Sequence, residues 1–235
     1  MHSFALTENY IVLSMIPAWF EEGNLINFYP IAYGISFHPE ENTTWLVFDR
    51  VSGEVAATFH STGFFMLHHV NAYEDPTTEE IVVDVITYPD SDILDATYLK
   101  NLKQCPDRWC TSFERSQYSR YRLPMAQKDQ GELIKPKSLS SARLELPQIN
   151  PANRSRQYGT VFGIQTFSNT SDYADAIVKI NSLTGESTTW HEDGCYPSEA
   201  IFVDDPSSNS EDAGILLSVV MDVEEVRFYI ALDRP

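Results

Sequence analysis

His68 is the residue of this 235-residue chain best suited to metal chemistry. It follows the apolar and aromatic run from Phe64 to Leu67, which is typical of the inward end of a strand. A neutral imidazole there can bind Fe, Zn, Cu or Ni, or it can be a core histidine that bonds a backbone carbonyl. His69 cannot easily bind the same ion, because adjacent side chains of a strand point to opposite faces.

Two carboxylates lie beside apolar segments. Glu145 stands between Leu144 and Leu146, and Glu199 directly precedes the apolar residues 200–203. A buried carboxylate costs free energy unless it has a partner. One such partner is the free ring N–H of a metal-bound histidine, whose tautomer and orientation the carboxylate then fixes. The alternative is a carboxylate at a strand end that faces water.

Several classes of function are excluded by composition and motif. The chain has no glycine-rich phosphate loop, nucleophile elbow or His-Glu-x-x-His helix. With 16 basic and 34 acidic residues, the formal net charge is -18. Nucleic acid is therefore not expected as a partner, because a phosphate-binding surface needs clustered Lys and Arg. The three cysteines have no regular spacing, so free thiols in a reducing compartment are expected.

Many short β-rich runs alternate with turns about every ten residues, which indicates an all-β sandwich, barrel or propeller. Strands are predicted at residues 10–13, 44–48, 55–59, 81–86, 159–167, 176–180, 187–190, 215–221 and 227–232. One short helix is predicted from Asp92 to Leu102, where apolar residues recur near helical spacing. Residues 103–142 are polar and are predicted to form an irregular excursion.

A weak repeat favours the propeller. Residues 48–54 and 180–186 share the order apolar, Asx, two variable residues, hydroxyl, Gly, Glu. This order is typical of a hairpin, because Asx starts a turn and Gly provides the positive φ. Recurring hairpins suggest blades, although two unrelated hairpins would also explain them. Residues 230–234 begin the pattern again before the chain stops, so we expect an incomplete piece of a larger fold.

Four segments together resemble the carotenoid cleavage oxygenase family. Two of them resemble the family's iron-ligand motifs and two resemble motifs that support the ligands. They are His-Ser-Phe-x-Leu-Thr-x-Asn-Tyr-Ile-Val at 2–12, Phe-x-x-x-His-His-x-Asn-Ala-Tyr-Glu-Asp at 64–75, Glu-x-Pro-Gln-Ile-Asn at 145–150, and Tyr-Pro-Ser-Glu-x-Ile-Phe-Val at 196–203. They occur in family order across most of the chain.

The resemblance implies a seven-bladed β-propeller with Fe(II) (Fe2+) on its axis, held by four histidines. His2 and His68 would be two of these ligands, Glu145 would bond His68, and Glu199 would support another ligand. Residues 1–235 would form a single incomplete domain of about four blades, without the N- and C-terminal blades. The first and fourth ligands of the family would then lie outside this chain.

The activity implied by the resemblance is a dioxygenase reaction. O2 and a carotenoid or apocarotenoid would give aldehyde or ketone products by cleavage of a conjugated double bond. Phe64, Phe65 and Met66 are expected beside an apolar substrate tunnel, and this fragment alone is expected to be inactive. Two alternatives are a non-catalytic carotenoid-binding remnant and a propeller module for protein interaction.

An apolar stretch between Ile16 and Tyr29 could attach the protein to a membrane surface, or it could fill the core of a blade. Its apolar members are Ile16, Trp19, Phe20, Leu25, Ile26 and Phe28. No run of 18 apolar residues occurs, and no basic region followed by an apolar run opens the sequence. We therefore expect a cytoplasmic protein with peripheral membrane contact.

Overall fold

The computed structural model describes residues 2–20, 23, 34–104, 115–128, 131–167 and 173–233, and most of their strands form four successive, mainly antiparallel sheets. The first sheet contains, in order across the sheet, β1 (Ala5–Leu6), β2 (Tyr10–Met15), β5 (Thr43–Asp49), β6 (Val55–Ser61) and β10 (Leu133–Ile134), which runs parallel to β6. A separate small pair is formed by β3 (Ala18–Phe20) and β4 (Ile35–Phe37).

The other three sheets follow in chain order and have four strands each. The second contains, in order from one edge, β7 (Phe65–Asp75), β8 (Glu80–Tyr88), β9 (Gln117–Pro124) and β11 (Lys137–Ser138). The third contains β12 (Glu145–Gln148), β13 (Thr160–Gln165), β14 (Ala176–Asn181) and β15 (Ser187–His191). In the fourth, β16 (Cys195–Pro197) and β17 (Ile201–Asp204) pair with one side of β18 (Gly214–Asp222), and β19 (Arg227–Asp233) pairs with the other.

The sheets pack face to face in chain order, as propeller blades do. One apolar cluster joins the first sheet to the second, with Trp45 and Val47 against Ile81 and Val83. A second joins the other face of the second sheet to the third, and a third joins the third sheet to the fourth. Strand β8 is covered on both faces, which explains why most of its residues are β-branched. The predicted all-β class with about four blades is confirmed.

The predicted hairpin repeat is present. Asp49 Oδ1 accepts the backbone N–H groups of Val51 and Ser52, and Asn181 Oδ1 does the same for residues 183 and 184. The glycines four positions after each Asx have φ of 75° (Gly53) and 79° (Gly185). These contacts fix the turn that joins β5 to β6 and the turn that joins β14 to β15.

Two other hairpins use the same turn without glycine. Asp75 Oδ1 accepts from Thr77 N–H, and Asp222 Oδ1 accepts from residues 224 and 225. The residues four positions later are Glu79, with φ of 56°, and Val226, with φ of 53°. The Asx-to-Gly sequence pattern does not mark these two turns, because Glu79 and Val226 adopt the left-handed conformation in place of glycine.

The predicted single helix from Asp92 to Leu102 is divided into α1 (Asp92–Ala96) and α2 (Leu99–Gln104). The break has a local cause, because side chains bind carbonyl groups at the end of α1. Thr97 Oγ1 donates to the Leu94 carbonyl at 2.9 Å, and Asn101 Nδ2 donates to the Asp95 carbonyl at 2.7 Å. Short 3-10 turns also occur at Met125–Gln127 and Pro151–Asn153.

The prediction of an irregular excursion at residues 103–142 is wrong for its central part, which contains β9. This strand was missed because of its two arginines. Arg120 is buried and binds Asp84 through Nε and Nη2, each at 2.8 Å. Its charge is therefore balanced inside the protein, and its neighbours Tyr118 and Tyr121 are core residues.

Among the described residues, no helix has the length and apolarity that a membrane crossing needs. Cys195 is buried and has a free thiol, while Cys105 and Cys110 lie outside the described residues.

Candidate functional site

The predicted site residues lie on, or next to, a strand at the edge of each sheet. Strand β1 contacts β7, and β7 contacts β12. His2 lies just before β1, His68 lies within β7, and Glu145 is the first residue of β12. Glu199 lies in the gap between β16 and β17. The blade packing therefore brings the segments of His2, His68 and Glu145 together, and Glu199 lies beside β12 through its contact with Gln148.

Irregular strand pairing orients these side chains. The register of β7 with β8 shifts around His68, and the register of β12 with β13 shifts between Glu145 and Gln148. Leu146, inside the second irregularity, has φ of 49°. Bulges of this kind redirect a side chain at the edge of a sheet and are common beside functional sites.

The rings of His2 and His68 converge on one point. Their Nε2 atoms are 3.0 Å apart, and their ring centroids are 4.9 Å apart at an interplanar angle of 66°. Two imidazole nitrogens that each lie about 2.1 Å from one ion, at right angles, are about 3.0 Å apart. The separation of the two Nε2 atoms therefore fits two adjacent positions around a single metal ion.

Glu145 holds the other side of the His68 ring. Its Oε2 lies 2.6 Å from His68 Nδ1 and also accepts the Leu146 N–H at 2.9 Å. Its Oε1 accepts the Tyr88 hydroxyl at 2.9 Å. Because Nδ1 of His68 carries the proton in this contact, the neutral ring presents the Nε2 lone pair to His2 or to a metal.

The surrounding charges change the pKa values of this group. Burial lowers the pKa of His68, but the hydrogen bond and charge of Glu145, with the charge of Glu199, outweigh burial and raise it. Burial, and then the neighbouring Glu145 carboxylate, raise the pKa of Tyr88 well above its usual value. The Tyr88 phenol therefore remains protonated and can donate to Glu145 throughout the physiological pH range.

His69 has a different environment. Its Nδ1 lies 3.1 Å from Ser3 Oγ, and its Nε2 lies 2.8 Å from Ser14 Oγ. Burial, together with the nearby His68, lowers the pKa of His69 to about 3. Its ring is neutral, and hydroxyl groups engage both of its nitrogens. This arrangement favours His68 over His69 as the metal ligand.

Glu199 does not contact the two imidazoles directly. It is exposed, and its Oε1 accepts the side-chain N–H of Gln148 at 2.6 Å. Within the described ranges, no group of three or more His, Cys, Asp or Glu side chains could hold a metal ion. The described structure thus brings His2, His68 and Glu145 together. Glu199 influences this group only through its charge, which helps to raise the pKa of His68.

Tyr88 is a site residue that the sequence did not reveal. It ends the buried strand β8 and is only 3% exposed. A tyrosine at the end of an apolar run must place its hydroxyl somewhere, and this was the available signal. Its partner could not be identified without knowing that β12 of the next blade lies against it.

A cavity of about 550 Å³ lies beside Glu199, where the fourth sheet faces β12. Its walls are largely apolar and include Leu146, Ile164, Pro197, Val219, Met221 and Phe228. Leu146 directly follows Glu145 in the chain, whereas Glu145, His2 and His68 do not themselves line the cavity. Pockets that are mainly apolar with few polar groups suit ligands of low polarity.

The predicted tunnel residues are buried in the packing between blades. The Phe64 ring lies 5.3 Å from Tyr121 and 5.7 Å from Trp45. Phe65 points to the other cluster, where it lies 5.7 Å from Phe37. Met66 belongs to the same cluster as Phe64. None of the three lines the described cavity, and their placement in a tunnel stays a prediction.

The predicted membrane patch is described only in part. Trp19 and Phe20 on β3 are 53% and 57% exposed. Ile16 is half-buried and packs against the core. Leu25, Ile26 and Phe28 lie outside the described residues.

Residues 1–233 match the family model described as Retinal pigment epithelial membrane protein. The chain is 31% identical over 263 residues to human Beta,beta-carotene 15,15'-dioxygenase, covering 99% of the chain and 47% of that protein. It is 28% identical to the Carotenoid isomerooxygenase of Galleria mellonella, covering 94% of the chain and 44% of that protein.

Solved structures agree with the fold. Cobalt-substituted ACO from Synechocystis superposes with a TM-score of 0.80 at 22% identity, covering 98% of the chain and 46% of that protein. A chimera of ACO and RPE65 gives the same TM-score, identity and coverage. The chain spans about half the length of the curated relatives it matches.

Proposed function

Because the chain belongs to the carotenoid oxygenase family typified by the Retinal pigment epithelial membrane protein, we propose that it is part of a non-haem Fe(II) dioxygenase. His2 and His68 would supply two of the imidazole ligands, and Glu145 would orient His68. The observation that supports this most directly is the 3.0 Å separation of the two Nε2 atoms. Neutral imidazoles are suitable ligands for iron.

The proposed reaction follows from the carotenoid-cleaving activity that the relatives' names describe. A bound Fe(II) would activate O2 against a conjugated double bond of a carotenoid or apocarotenoid, and one oxygen atom would enter each aldehyde or ketone product. The chain's own contribution would be to orient His68 through Glu145 and to bind an apolar substrate. The largely apolar cavity beside Glu199 supports this second role.

The substrate would enter from a membrane surface. Trp19 and Phe20 are exposed on β3, and the neighbouring Ile16 packs against the cluster that contains Phe65. This arrangement supports an apolar route from the surface towards Phe65 on β7, whereas Phe64 and Met66 lie in the other cluster. We propose a cytoplasmic protein that touches the bilayer peripherally. Aromatic side chains bind the headgroup boundary without spanning the membrane.

We further propose that residues 1–235 form one incomplete propeller domain and that the isolated chain is inactive. Two imidazoles leave most positions of an iron ion to water, so metal binding is expected to be weak. The iron content of the purified chain and the formation of retinal or apocarotenals from carotenoids test this directly. Stoichiometric iron with turnover would refute the proposed inactivity.

The ligand assignment has its own experiment. Fe(II) is titrated anaerobically into the full chain and into His2→Ala, His68→Ala and His60→Ala variants. His60 is a matched control, because it lies on β6 and its ring contacts Thr44 instead. We expect the first two variants to lose Fe(II) binding and the control to retain it. Equal binding by all four proteins would exclude His2 and His68 as ligands.

A second candidate function is carotenoid binding without catalysis. The apolar cavity supports it, since the cavity's walls require no metal to accept an apolar ligand. Retention of a carotenoid by the metal-free chain, together with no Fe(II) binding, would favour this candidate. Fe(II) binding that requires His2 and His68 would favour the oxygenase instead.

A further inference from the structure

Ser3 and His69 each directly follow one of the two converging imidazoles. Ser3 follows His2, and His69 follows His68. The His69 backbone N–H donates to Ser3 Oγ at 3.0 Å, and the ring Nδ1 of His69 lies 3.1 Å from the same oxygen. The neighbour of one imidazole is therefore bonded twice to the neighbour of the other.

The second nitrogen of the His69 ring completes the contact with the first sheet. Its Nε2 lies 2.8 Å from Ser14 Oγ on β2, and Ser14 is buried. A neutral imidazole has one donor and one acceptor. The pattern closes when the Ser3 hydroxyl donates to Nδ1 and the Nε2–H donates to Ser14. Both edges of the ring then join β7 to the first blade.

His2 needs such a contact because the sheet does not hold it. Residues 2–4 precede β1, whose ladder with β2 begins at Ala5. Phe4 is 54% exposed, so its burial contributes little to fixing the segment. Glu74 binds Thr7 and Asn9, farther along the chain. That anchor leaves residues 2–4 free to pivot unless Ser3 is also held.

We propose that Ser3 and His69 are positioning residues, which set the distance between His2 and His68 by joining the residues that follow them. This inference rests on the proposed function, because the distance between the two imidazoles matters for metal binding. The hydrogen bonds between Ser3 and His69 themselves do not depend on a metal. On β7, the side chains of neighbouring residues point to opposite faces. His68 can therefore face the centre while His69 holds Ser3, which fixes the segment that carries His2.

The experiment uses the full chain with isotope-labelled histidines. Ring–ring nuclear Overhauser contact between His2 and His68 reports their distance without metal. Broadening of the same ring signals by added Co2+ reports binding at that site. The test variants are Ser3→Ala and His69→Leu, and Ser3→Thr keeps the hydroxyl. The matched controls are Thr44→Ala and His60→Leu, a hydroxyl–imidazole pair 3.2 Å apart on the first blade.

We expect Ser3→Ala and His69→Leu to lose the ring–ring contact and to bind Co2+ about tenfold more weakly, as changes to groups that orient ligands do. Ser3→Thr and both controls should keep the contact and the affinity. Amide spectra confirm that each variant is folded. If His69→Leu does not fold, the comparison of Ser3→Ala with Ser3→Thr still decides the question, because Ser3 is only half-buried.

Two other results have separate meanings. Folded Ser3→Ala protein with an unchanged ring–ring contact and unchanged Co2+ binding would overturn the positioning role. Loss of the His2–His68 ring–ring contact in Ser3→Ala, with no Co2+ binding even by the unaltered chain, would support the positioning role of Ser3. The proposed metal centre of this chain would fall in that case.

Discussion

Glu145 and His68 are 77 positions apart in the chain, yet the Glu145 carboxylate lies 2.6 Å from the His68 ring. The contact crosses from the third blade to the second, because β12 lies against β7. It is buried at the carboxylate, which is only 2% exposed. A buried carboxylate must find donors, and here the donors are the His68 ring, Tyr88 and the Leu146 backbone. The site is therefore also a junction between blades.

Tyr88→Phe tests that junction. The change removes the donor to Glu145 Oε1 and leaves a buried carboxylate oxygen without it. We expect the free energy of unfolding to fall by about 1–3 kcal/mol, the usual cost of an unsatisfied buried polar group. We also expect weaker metal binding, because Glu145 would orient His68 less firmly. Urea denaturation and Co2+ titration measure the two effects.

Tyr10→Phe on β2 is the matched control for Tyr88→Phe. Tyr10 is half-buried and lies away from Glu145. It should change neither stability by more than about 0.5 kcal/mol nor metal binding. Equal effects of the two substitutions on Co2+ affinity would show that Tyr88 has no special relation to the site.

Gly53 and Gly185 occupy equivalent hairpin positions but differ in the space around them. A Cβ at Gly53 would meet nothing within 4 Å, whereas a Cβ at Gly185 would lie 2.6 Å from the Leu139 carbonyl oxygen. Gly53→Ala should therefore cost only the left-handed backbone conformation, about 1 kcal/mol. Gly185→Ala should lower the free energy of unfolding by about 1–3 kcal/mol more, because the backbone at Leu139 must move. Urea denaturation of both variants checks this, and equal losses would contradict it.

The sequence predicts the hairpins that contain glycine and the strands that are rich in β-branched residues. It does not predict β9, because the charge of Arg120 is balanced by Asp84 from a neighbouring strand. Local composition cannot show that partner. The left-handed Glu79 has the same explanation, since the Asp75 turn forces its conformation and no glycine marks it.

The candidate site is predictable to a different extent. The resemblance names His2, His68, Glu145 and Glu199 without any geometry. The positions of these residues depend on irregular strand pairing around His68 and Glu145, and such irregularities are set by contacts between blades. The role of Tyr88 depends on the same contacts, so the sequence could not assign it.

Glu74 should make stability depend on pH. Burial raises its pKa, but hydrogen bonds from the Asn9 side chain, the Thr7 hydroxyl and the Asn9 N–H outweigh burial and lower it. A lowered pKa means that the folded chain holds the carboxylate more strongly than the unfolded chain does. The resulting stabilisation is present above the unfolded pKa of about 4.3 and is lost as the pH falls through the folded pKa.

Glu74→Gln tests this dependence. The variant should be less stable than the unaltered chain at pH 7, and the difference should shrink as the pH falls below about 4.3. Urea denaturation at several pH values between 3 and 7 provides the measurement. Glu54→Gln in the exposed hairpin turn is the control and should leave the profile unchanged. A stability difference for Glu74→Gln that stays constant down to pH 3 would contradict the assignment.

The apolar cavity beside Glu199 should bind a polyene, and Val219→Trp should block it. Val219 lines the cavity from β18, so an indole at that position would occupy part of the volume of about 550 Å³. Val203→Trp on β17 is a matched control, because Val203 is also exposed on the fourth sheet but does not line the cavity. Both variants add one indole, so their fluorescence can be compared directly during titration with all-trans-retinal.

Loss of a few apolar contacts costs about 1–3 kcal/mol, so Val219→Trp should bind retinal at least about tenfold more weakly than Val203→Trp. Equal affinities would place the polyene elsewhere, and the buried run of Phe64, Phe65 and Met66 would then be the next region to test.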